Sequence, residues 1–151
     1  MNIMIVGVGG QGTLLASRII GAAAINLGGD VKLSEVHGMS QRGGSVVTYV
    51  RYGDQVSSPV IGEGDADVIL AFEKLEAYRY LPYLKKGGKM IANTQKMNPM
   101  PVITGAMEYP ENIEEKLSAK INLQAVDALS LAEKAGTIKA VNVVLIGLLA
   151  K

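Results

Sequence analysis

The sequence predicts an α/β fold of three layers, α/β/α, with a mostly parallel central sheet between two layers of helices. Short apolar runs typical of strands buried on both faces alternate along the chain with segments of helical periodicity. A glycine-rich turn joins the first predicted strand to the first predicted helix. The 151 residues, of which 48% are hydrophobic, are sufficient for one packed core. We therefore expect residues 1–151 to form a single domain.

The first half of the chain predicts three strands and one helix. Residues 3–6 form an apolar run that ends at a glycine, as a buried strand would. Apolar side chains recur at helical spacing over residues 14–24, and residues 31–36 alternate between apolar and polar, so that a βαβ unit is expected. Residues 45–52 are rich in β-branched side chains. We expect them to pair as a hairpin with a short segment near residues 56–60.

The second half continues the alternation of strands and helices. Strands are predicted over residues 66–72, 89–93 and 121–126, and helices over residues 73–80, 110–117, 127–135 and 138–149. Residues 94–110, with three prolines, form the most loop-like stretch. Pro110 is expected in the first turn of its helix, where proline is tolerated, and Asp127 is expected to cap the helix that follows it.

The composition excludes several classes of site. The chain has no cysteine, so it can form no disulfide and can ligate no iron–sulfur cluster by itself. Its single histidine, His37, leaves no pair for a histidine-based metal site, and we predict no metal site. A net charge of +1 and 5% aromatic residues argue against binding to nucleic acid or to an anionic membrane. With no targeting signal or membrane span in the sequence, a cytoplasmic location is expected.

The first candidate site is the glycine-rich turn of residues 7–12, which satisfies the pattern G-x-G-x-x-G. Glycines in this position let backbone amides approach a phosphate at the positive end of a helix. A glycine-rich turn between the first strand and the first helix also predicts that the central sheet is Rossmann-like. Glu35 falls near the end of the second strand, where a ribose-binding acid is found in dinucleotide folds. A tight turn without a ligand is the other interpretation. The residues predicted to bind a cofactor or face an anion here are Gly7, Gly9, Gly10, Gln11 and Gly12.

The second candidate site is the polar loop that follows the second predicted strand. In a parallel sheet this loop lies at the carboxyl edge, beside the glycine-rich turn. Arg42 carries a fork of donors suited to phosphate or carboxylate, although an ion pair within the fold would also suit it. His37 is a weak candidate for a catalytic acid or base, and a structural hydrogen bond is the alternative. The residues predicted to face an anion here are Ser40, Gln41, Arg42, Gly43 and Gly44.

Other polar and sulfur-containing residues are weaker candidates. The acidic side chains of residues 63–67 are expected in a solvated turn rather than at a metal. Asn142 lies in an apolar helix and needs a partner if it is buried, or faces a subunit interface. The methionines expected to serve in packing are Met90, Met97, Met100 and Met107.

Four segments together resemble a known family. Residues 7–12, residues 35–44 with the sequence EVHGMSQRGG, residues 67–73 and residues 140–147 are similar, in this order, to the gamma-type domain of the pyruvate/2-oxoacid:ferredoxin oxidoreductases. The second segment is most similar to the indolepyruvate branch of that family. Members of the family usually continue past the last helix, so the domain is expected to be short at its C-terminus.

This resemblance implies a subunit of an enzyme complex. The reaction implied is the oxidative decarboxylation of an arylpyruvate such as indolepyruvate, which yields an acyl-CoA and passes electrons to ferredoxin. Thiamine diphosphate and [4Fe-4S] clusters are then expected on a large partner subunit in a hetero-oligomer, whereas coenzyme A is a possible ligand of this chain. The glycine-rich loops would contact coenzyme A, substrate or the partner subunit, and the resemblance leaves these alternatives open.

Two other functions remain open from the sequence. The chain could be a stand-alone nucleotide-binding module for NAD, FAD or CoA, for which Glu35 is suitably placed. It could also be a purely structural subunit. In that case Arg42→Ala would weaken assembly of a complex and leave turnover per assembled complex unchanged.

Overall fold

The computed structural model describes residues 1–38 and 43–151. The strands are β1 (Asn2–Val8), β2 (Asp30–His37), β3 (Ser45–Gly53), β4 (Ala66–Ala71), β5 (Leu84–Asn93) and β6 (Asn122–Val126). The helices are α1 (Thr13–Asn26), α2 (Lys74–Arg79), α3 (Met100–Ile103), α4 (Ile113–Ser118), α5 (Ala128–Lys134) and α6 (Val141–Ala150). The predicted α/β fold is confirmed.

The six strands form one mixed sheet in the order β2-β3-β1-β4-β5-β6. Strands β1, β4, β5 and β6 pair in parallel, whereas β3 is antiparallel to both of its neighbours, β1 and β2. Of the strands described, β3 alone therefore runs against the others. The predicted βαβ unit is modified accordingly, because β3 lies between β1 and β2.

Each face of the sheet carries its own apolar core. Along β1, Met4 and Val6 contribute to the core beneath α2 and α4, and the intervening Ile3 and Ile5 contribute to the core beneath α1, α5 and α6. This alternation has the period of two that an extended strand imposes. Helices therefore cover both faces of the sheet, which confirms the three layers.

The predicted hairpin between the third strand and residues 56–60 is wrong. Strand β3 pairs with β1 along one edge and with β2 along the other, so it has no free edge for a further strand. Residues 54–60 contain no strand. The Arg51 guanidinium donates hydrogen bonds to the carbonyl oxygens of Ser58 and Val60 (3.0 Å each), and the Val56 amide donates to Asp30 Oδ2 (2.9 Å). Side chains thus satisfy backbone groups that a strand would have paired.

Helix ends follow local signals in some places and depart from them in others. Asp127 caps α5 as predicted, because its Oδ1 accepts a hydrogen bond from the Ser130 amide (3.0 Å). Pro110 is not in the first turn of α4, since the helix begins only at Ile113, after Asn112 with a φ of 55°. The predicted last helix is divided into one 3-10 turn at residues 138–140 and α6. Within the part of the chain that the model describes, no helix has the length and apolar character of a membrane span.

Candidate functional site

The glycine-rich turn connects the carboxyl end of β1 to the start of α1. Gly10 and Gly12 have φ values of 99° and 84°, in the left-handed region that favours glycine. The Gln11 amide donates to the Val8 carbonyl (3.2 Å) and closes the turn. The first amides of α1 have no acceptor within the helix, so this turn presents the positive end of a 14-residue helix to the carboxyl edge of the sheet.

The Gln11 side chain braces this turn from within. Its Oε1 accepts a hydrogen bond from the Val8 amide (2.9 Å). Its Nε2 donates to the carbonyl of Phe72, the residue that follows β4 (3.1 Å). A Cβ atom at Gly7 would lie 2.8 Å from Gln11 Oε1 and 3.0 Å from the Phe72 Cβ. Gly7 is therefore required by packing. That Gly7 and Gln11 face an anion stays a prediction. Both the backbone amide and the side-chain amide of Gln11 are already bonded to backbone groups of the chain.

The two glycine-rich segments touch at the carboxyl edge. The Gly9 amide donates to the Gly44 carbonyl (2.9 Å), and the Gly43 amide donates to the Gly9 carbonyl (3.4 Å). These bonds extend the β1–β3 ladder, which ends at the pair of Val8 and Ser45. The other predicted residues of this loop, Ser40, Gln41 and Arg42, lie outside the described residues.

A cleft of about 250 Å³ opens beside this contact. Its walls include the glycine turn, Thr13 of α1, and Glu35 and His37 of β2. Glu35 Oε2 accepts a hydrogen bond from the Thr48 hydroxyl (3.2 Å), so the carboxylate is held at the wall. His37 is exposed, and its Nδ1 lies 3.1 Å from the Gly38 carbonyl oxygen. The sheet thus brings the acid, the histidine and the second glycine segment next to the glycine turn, although the sequence separates that turn from the other three by more than 20 residues.

Asn142, the polar residue of the apolar helix α6, is buried against the same turn. A Cβ atom at Gly12 would lie 3.1 Å from Asn142 Nδ2, so α6 packs closely on the start of α1. The Asn142 Oδ1 accepts a hydrogen bond from the Val143 amide (2.8 Å). Asn142 therefore contacts the glycine turn within the chain, which accounts for its burial.

Glu73, at the carboxyl end of β4, is 1% exposed and was not identified from the sequence. Its Oε2 accepts a hydrogen bond from the Glu76 amide (2.9 Å) and so caps α2. Its Oε1 accepts from the Met97 amide (3.0 Å) and from the Tyr109 hydroxyl (2.7 Å). The available signal was an acid directly after a buried strand with a second glutamate three residues later, as in a capping box. One carboxylate thus anchors both ends of the excursion from Met97 to Tyr109.

Glu76, one turn further along α2, is 3% exposed and was also missed. Its Oε2 accepts a hydrogen bond from the Ser45 hydroxyl (2.5 Å), and its Oε1 lies 3.2 Å from Arg79 Nε. The Tyr80 hydroxyl lies 3.3 Å from Ser45 Oγ. Burial raises the pKa of Glu76 above its ordinary value, and the Glu73 charge acts in the same direction, whereas Ser45 and Arg79 oppose the shift.

The methionines divide between core and surface. Met90 is fully buried, as predicted, but Met100 and Met107 are 66% and 64% exposed, so for these two the expected packing role is wrong. The physical reason is the position of the excursion that contains both. Glu73 anchors it through the Met97 amide and the Tyr109 hydroxyl, and residues 98–108 between these two contacts contribute to neither core.

The acidic residues before and within β4 separate into two groups. Glu63 and Asp65 are exposed, as expected of a solvated turn. Asp67 lies within β4 and accepts hydrogen bonds from the Asn2 amide (2.8 Å) and from Lys85 Nζ (3.1 Å). Among residues 1–38 and 43–151, no three histidine, aspartate or glutamate side chains lie close enough together to hold a metal ion.

Tyr109 gives the Glu73 anchor a spectroscopic signature. Burial raises the pKa of Tyr109 far above its ordinary value, and the hydrogen bond to Glu73 raises it further. An unfolded tyrosine has a pKa of about 10. The stability that the neutral hydroxyl contributes is therefore complete below that pH and decreases as the pH rises above it. In an alkaline titration followed by phenolate absorbance, we expect Tyr109 to ionise last.

The variant Tyr109→Phe identifies that last step. Burial also raises the pKa of Tyr49, so two tyrosines are expected to ionise late, and the variant should lose the later of the two. Simultaneous ionisation of all six tyrosines in a chain that remains folded would contradict the Glu73 contact.

The comparisons with known proteins agree on one family. A family model described as pyruvate ferredoxin/flavodoxin oxidoreductase matches residues 2–151. Indolepyruvate oxidoreductase subunit IorB of Pyrococcus horikoshii is 49% identical over 98% of this chain and 75% of that protein. The gamma subunit of the keto/oxoacid ferredoxin oxidoreductase of Geobacter sulfurreducens superposes with a TM-score of 0.66 at 25% identity, over 97% of this chain and 73% of that one.

A more distant structure has the same fold. The 2-oxoglutarate:ferredoxin oxidoreductase of Magnetococcus marinus, solved with 2-oxoglutarate, coenzyme A and succinyl-CoA bound, matches with a TM-score of 0.60 at 17% identity. The match covers 94% of this chain and 22% of that one. The alternative of a stand-alone nucleotide-binding module is not favoured by these similarities. The chain belongs to the pyruvate ferredoxin/flavodoxin oxidoreductase family, as the order of its motifs predicts.

Proposed function

We propose that this chain is a subunit of an indolepyruvate-type 2-oxoacid:ferredoxin oxidoreductase and that its carboxyl-edge cleft receives coenzyme A. The observation that carries the site assignment is the contact of Gly9 with Gly43 and Gly44 at the start of α1. Helix-start amides and glycine backbone form an environment suited to a phosphate group. Several relatives carry names of oxoacid oxidoreductase subunits, which supports the choice of reaction.

The reaction divides between this chain and a partner. The bond between the carboxylate and the carbonyl carbon of the oxoacid breaks and CO₂ leaves. The CoA thiol releases its proton as its sulfur bonds to the acyl carbon, and the two electrons released by this oxidation pass to ferredoxin. Thiamine diphosphate, which stabilises the carbanion, and [4Fe-4S] clusters, which carry electrons, are assigned to a large partner subunit. A chain without cysteine has no thiolate ligand for a cluster, which supports this assignment.

The residues of the cleft suit different parts of coenzyme A. Its phosphates carry negative charge and would be accepted by the glycine turn and the first amides of α1. The Glu35 carboxylate repels phosphate and accepts hydrogen bonds, so it would favour a sugar hydroxyl at its end of the cleft. His37, exposed at the same wall, would donate to or accept from the ligand according to its protonation state. The cleft therefore gives the ligand a defined direction.

The division of labour is tested by reconstitution. We expect the isolated chain to turn over no arylpyruvate and the complex with its thiamine- and cluster-bearing partner to reduce ferredoxin or a viologen dye in the presence of indolepyruvate and CoA. A scan of aliphatic and aromatic oxoacids on the same complex then defines the substrate class. Turnover by the isolated chain would contradict the proposal.

Arg42, which the sequence places between the two described ends of the loop, distinguishes a CoA contact from a partner contact. An arginine–phosphate bond contributes about 1.5–3 kcal/mol, so Arg42→Ala is expected to raise the KM for CoA roughly tenfold to a hundredfold while assembly is unchanged. Arg18→Ala, at an exposed arginine on α1, is the matched control and should leave this KM unchanged. Weakened assembly with an unchanged KM would instead identify Arg42 as a partner contact.

A further inference from the structure

Glu76 is a buried residue of α2 whose carboxylate accepts a hydrogen bond from β3, the strand that begins directly after Gly43 and Gly44. Its Oε2 accepts the Ser45 hydroxyl at 2.5 Å, and the two residues are 31 positions apart in the chain. Arg79 Nε, at 3.2 Å, contacts the other oxygen from the same helix. Burying a carboxylate is costly, so a residue of this type inside an apolar layer calls for an explanation in terms of what it holds.

Glu76 holds Ser45, which directly follows the Gly44 that contacts Gly9. Ser45 is the first residue of β3 and pairs with Val8, the last residue of β1. The next bond beyond that pair is the Gly9 amide to the Gly44 carbonyl, at 2.9 Å. The side-chain bond to Glu76 is therefore one residue away from the backbone bond that joins the two glycine segments.

The groups around Glu76 restrict how this bond can form. Tyr80, whose hydroxyl lies 3.3 Å from Ser45 Oγ, and Arg79 approach from the α2 side, and Glu73 adds a second negative charge on that side. On the β3 side the donor to Glu76 is the Ser45 hydroxyl. Removal of that hydroxyl would leave the Oε2 of a buried carboxylate without its donor, which favours displacement of either β3 or α2 at this point.

We propose that Glu76 is a positioning residue that, through Ser45, holds Gly43 and Gly44 against Gly9 and thereby sets the shape of the cleft. This inference rests on the proposed function for its effect on CoA, but the positioning itself is independent of any ligand. The substitution Ser45→Ala removes the hydroxyl, and Ser45→Thr retains it in a residue that strands favour. Ser118→Ala, at an exposed serine on α4, is the matched control.

The positioning is tested on the free chain by two NMR measurements. His37 is the only histidine, so its imidazole signals report on the cleft without ambiguity. In Ser45→Ala, we expect these signals to shift and the Gly9 amide to exchange with solvent about tenfold faster, since a hydrogen bond to a charged group contributes at least that factor. Ser45→Thr and Ser118→Ala should match the wild type. Unchanged His37 signals and Gly9 exchange in folded Ser45→Ala would overturn the inference.

The consequence for the proposed function is tested separately on the assembled complex. Ser45→Ala is expected to raise the KM for CoA about tenfold with kcat little changed, because the cleft is displaced while the partner's chemistry is retained. If Ser45→Ala does not fold, Glu76→Leu replaces it. Leucine is similar in size but offers no acceptor to the Ser45 hydroxyl, so faster exchange at Gly9 is expected, and wild-type exchange in folded Glu76→Leu would overturn the inference. If Ser45→Ala changes the His37 signals and the Gly9 exchange but leaves the KM for CoA unchanged, the CoA assignment is refuted and the positioning role of Glu76 stands.

Discussion

Replacement of Glu73 by alanine is expected to lower the free energy of unfolding by about 3 kcal/mol or more. The substitution leaves three donors without their acceptor: the Glu76 amide, the Met97 amide and the Tyr109 hydroxyl. Each buried donor left unsatisfied costs about 1–3 kcal/mol, and the first of the three is fully buried. Urea unfolding followed by circular dichroism measures the loss.

The control for this prediction is Glu108→Ala, at an exposed glutamate of the same excursion. A substitution at such a position is expected to change stability by no more than about 0.5 kcal/mol. Glu73→Gln, which retains an acceptor oxygen, should fall between the two. Equal stability of the Glu73→Ala and Glu108→Ala variants would mean that the anchoring bonds contribute nothing to the fold.

Replacement of Phe72 by alanine is expected to cost about 3–5 kcal/mol, the range observed when a large buried aromatic side chain is removed. Phe72 is the only phenylalanine in the chain and is fully buried in the core beneath α1, α5 and α6. Its carbonyl accepts hydrogen bonds from Gln11 Nε2 and from Asn93 Nδ2, and a substitution of the side chain leaves both acceptors in place. The loss therefore reports on packing of the ring.

Leu27→Ala is the matched control for Phe72, because Leu27 is 82% exposed just after α1. Its effect on unfolding in urea should be within about 0.5 kcal/mol of zero. A loss of less than about 1 kcal/mol in Phe72→Ala would show that the core closes around the missing ring, contrary to the dense packing expected there.

The positions of the buried strands could be predicted, because they depend on residues that are adjacent in the sequence. Residues 3–6 are an apolar run and residues 66–72 are apolar except for Asp67, and both segments contain buried strands of a sheet with helices on each face. The pairing of β3 was not predictable. The glycine and aspartate at positions 53 and 54 suggested a hairpin with the segment that follows, but both edges of β3 are occupied by strands that precede it, β1 and β2. A turn signal carries no information about competition for a strand edge.

The same distinction applies to the site. The glycine spacing predicted the turn before α1, because that conformation depends on residues adjacent in the chain. Glu73 was missed because its side-chain partner Tyr109 lies 36 positions away, and Glu76 was missed because its partner Ser45 lies 31 positions away. The exposure of Met100 likewise depends on where α3 projects from the sheet, which its own sequence does not determine.

The reversed direction of β3 has a consequence for how such a domain can change over evolution. Since β2 runs toward the carboxyl edge and β3 runs away from it, the connection between them begins and ends at that edge. Insertions or deletions there cost little closure entropy and leave the strand order intact. The rest of the sheet, with its crossover helices, would tolerate such changes far less. One antiparallel strand thus places a connection whose length can change without altering the strand order at the same edge of the sheet as the cleft.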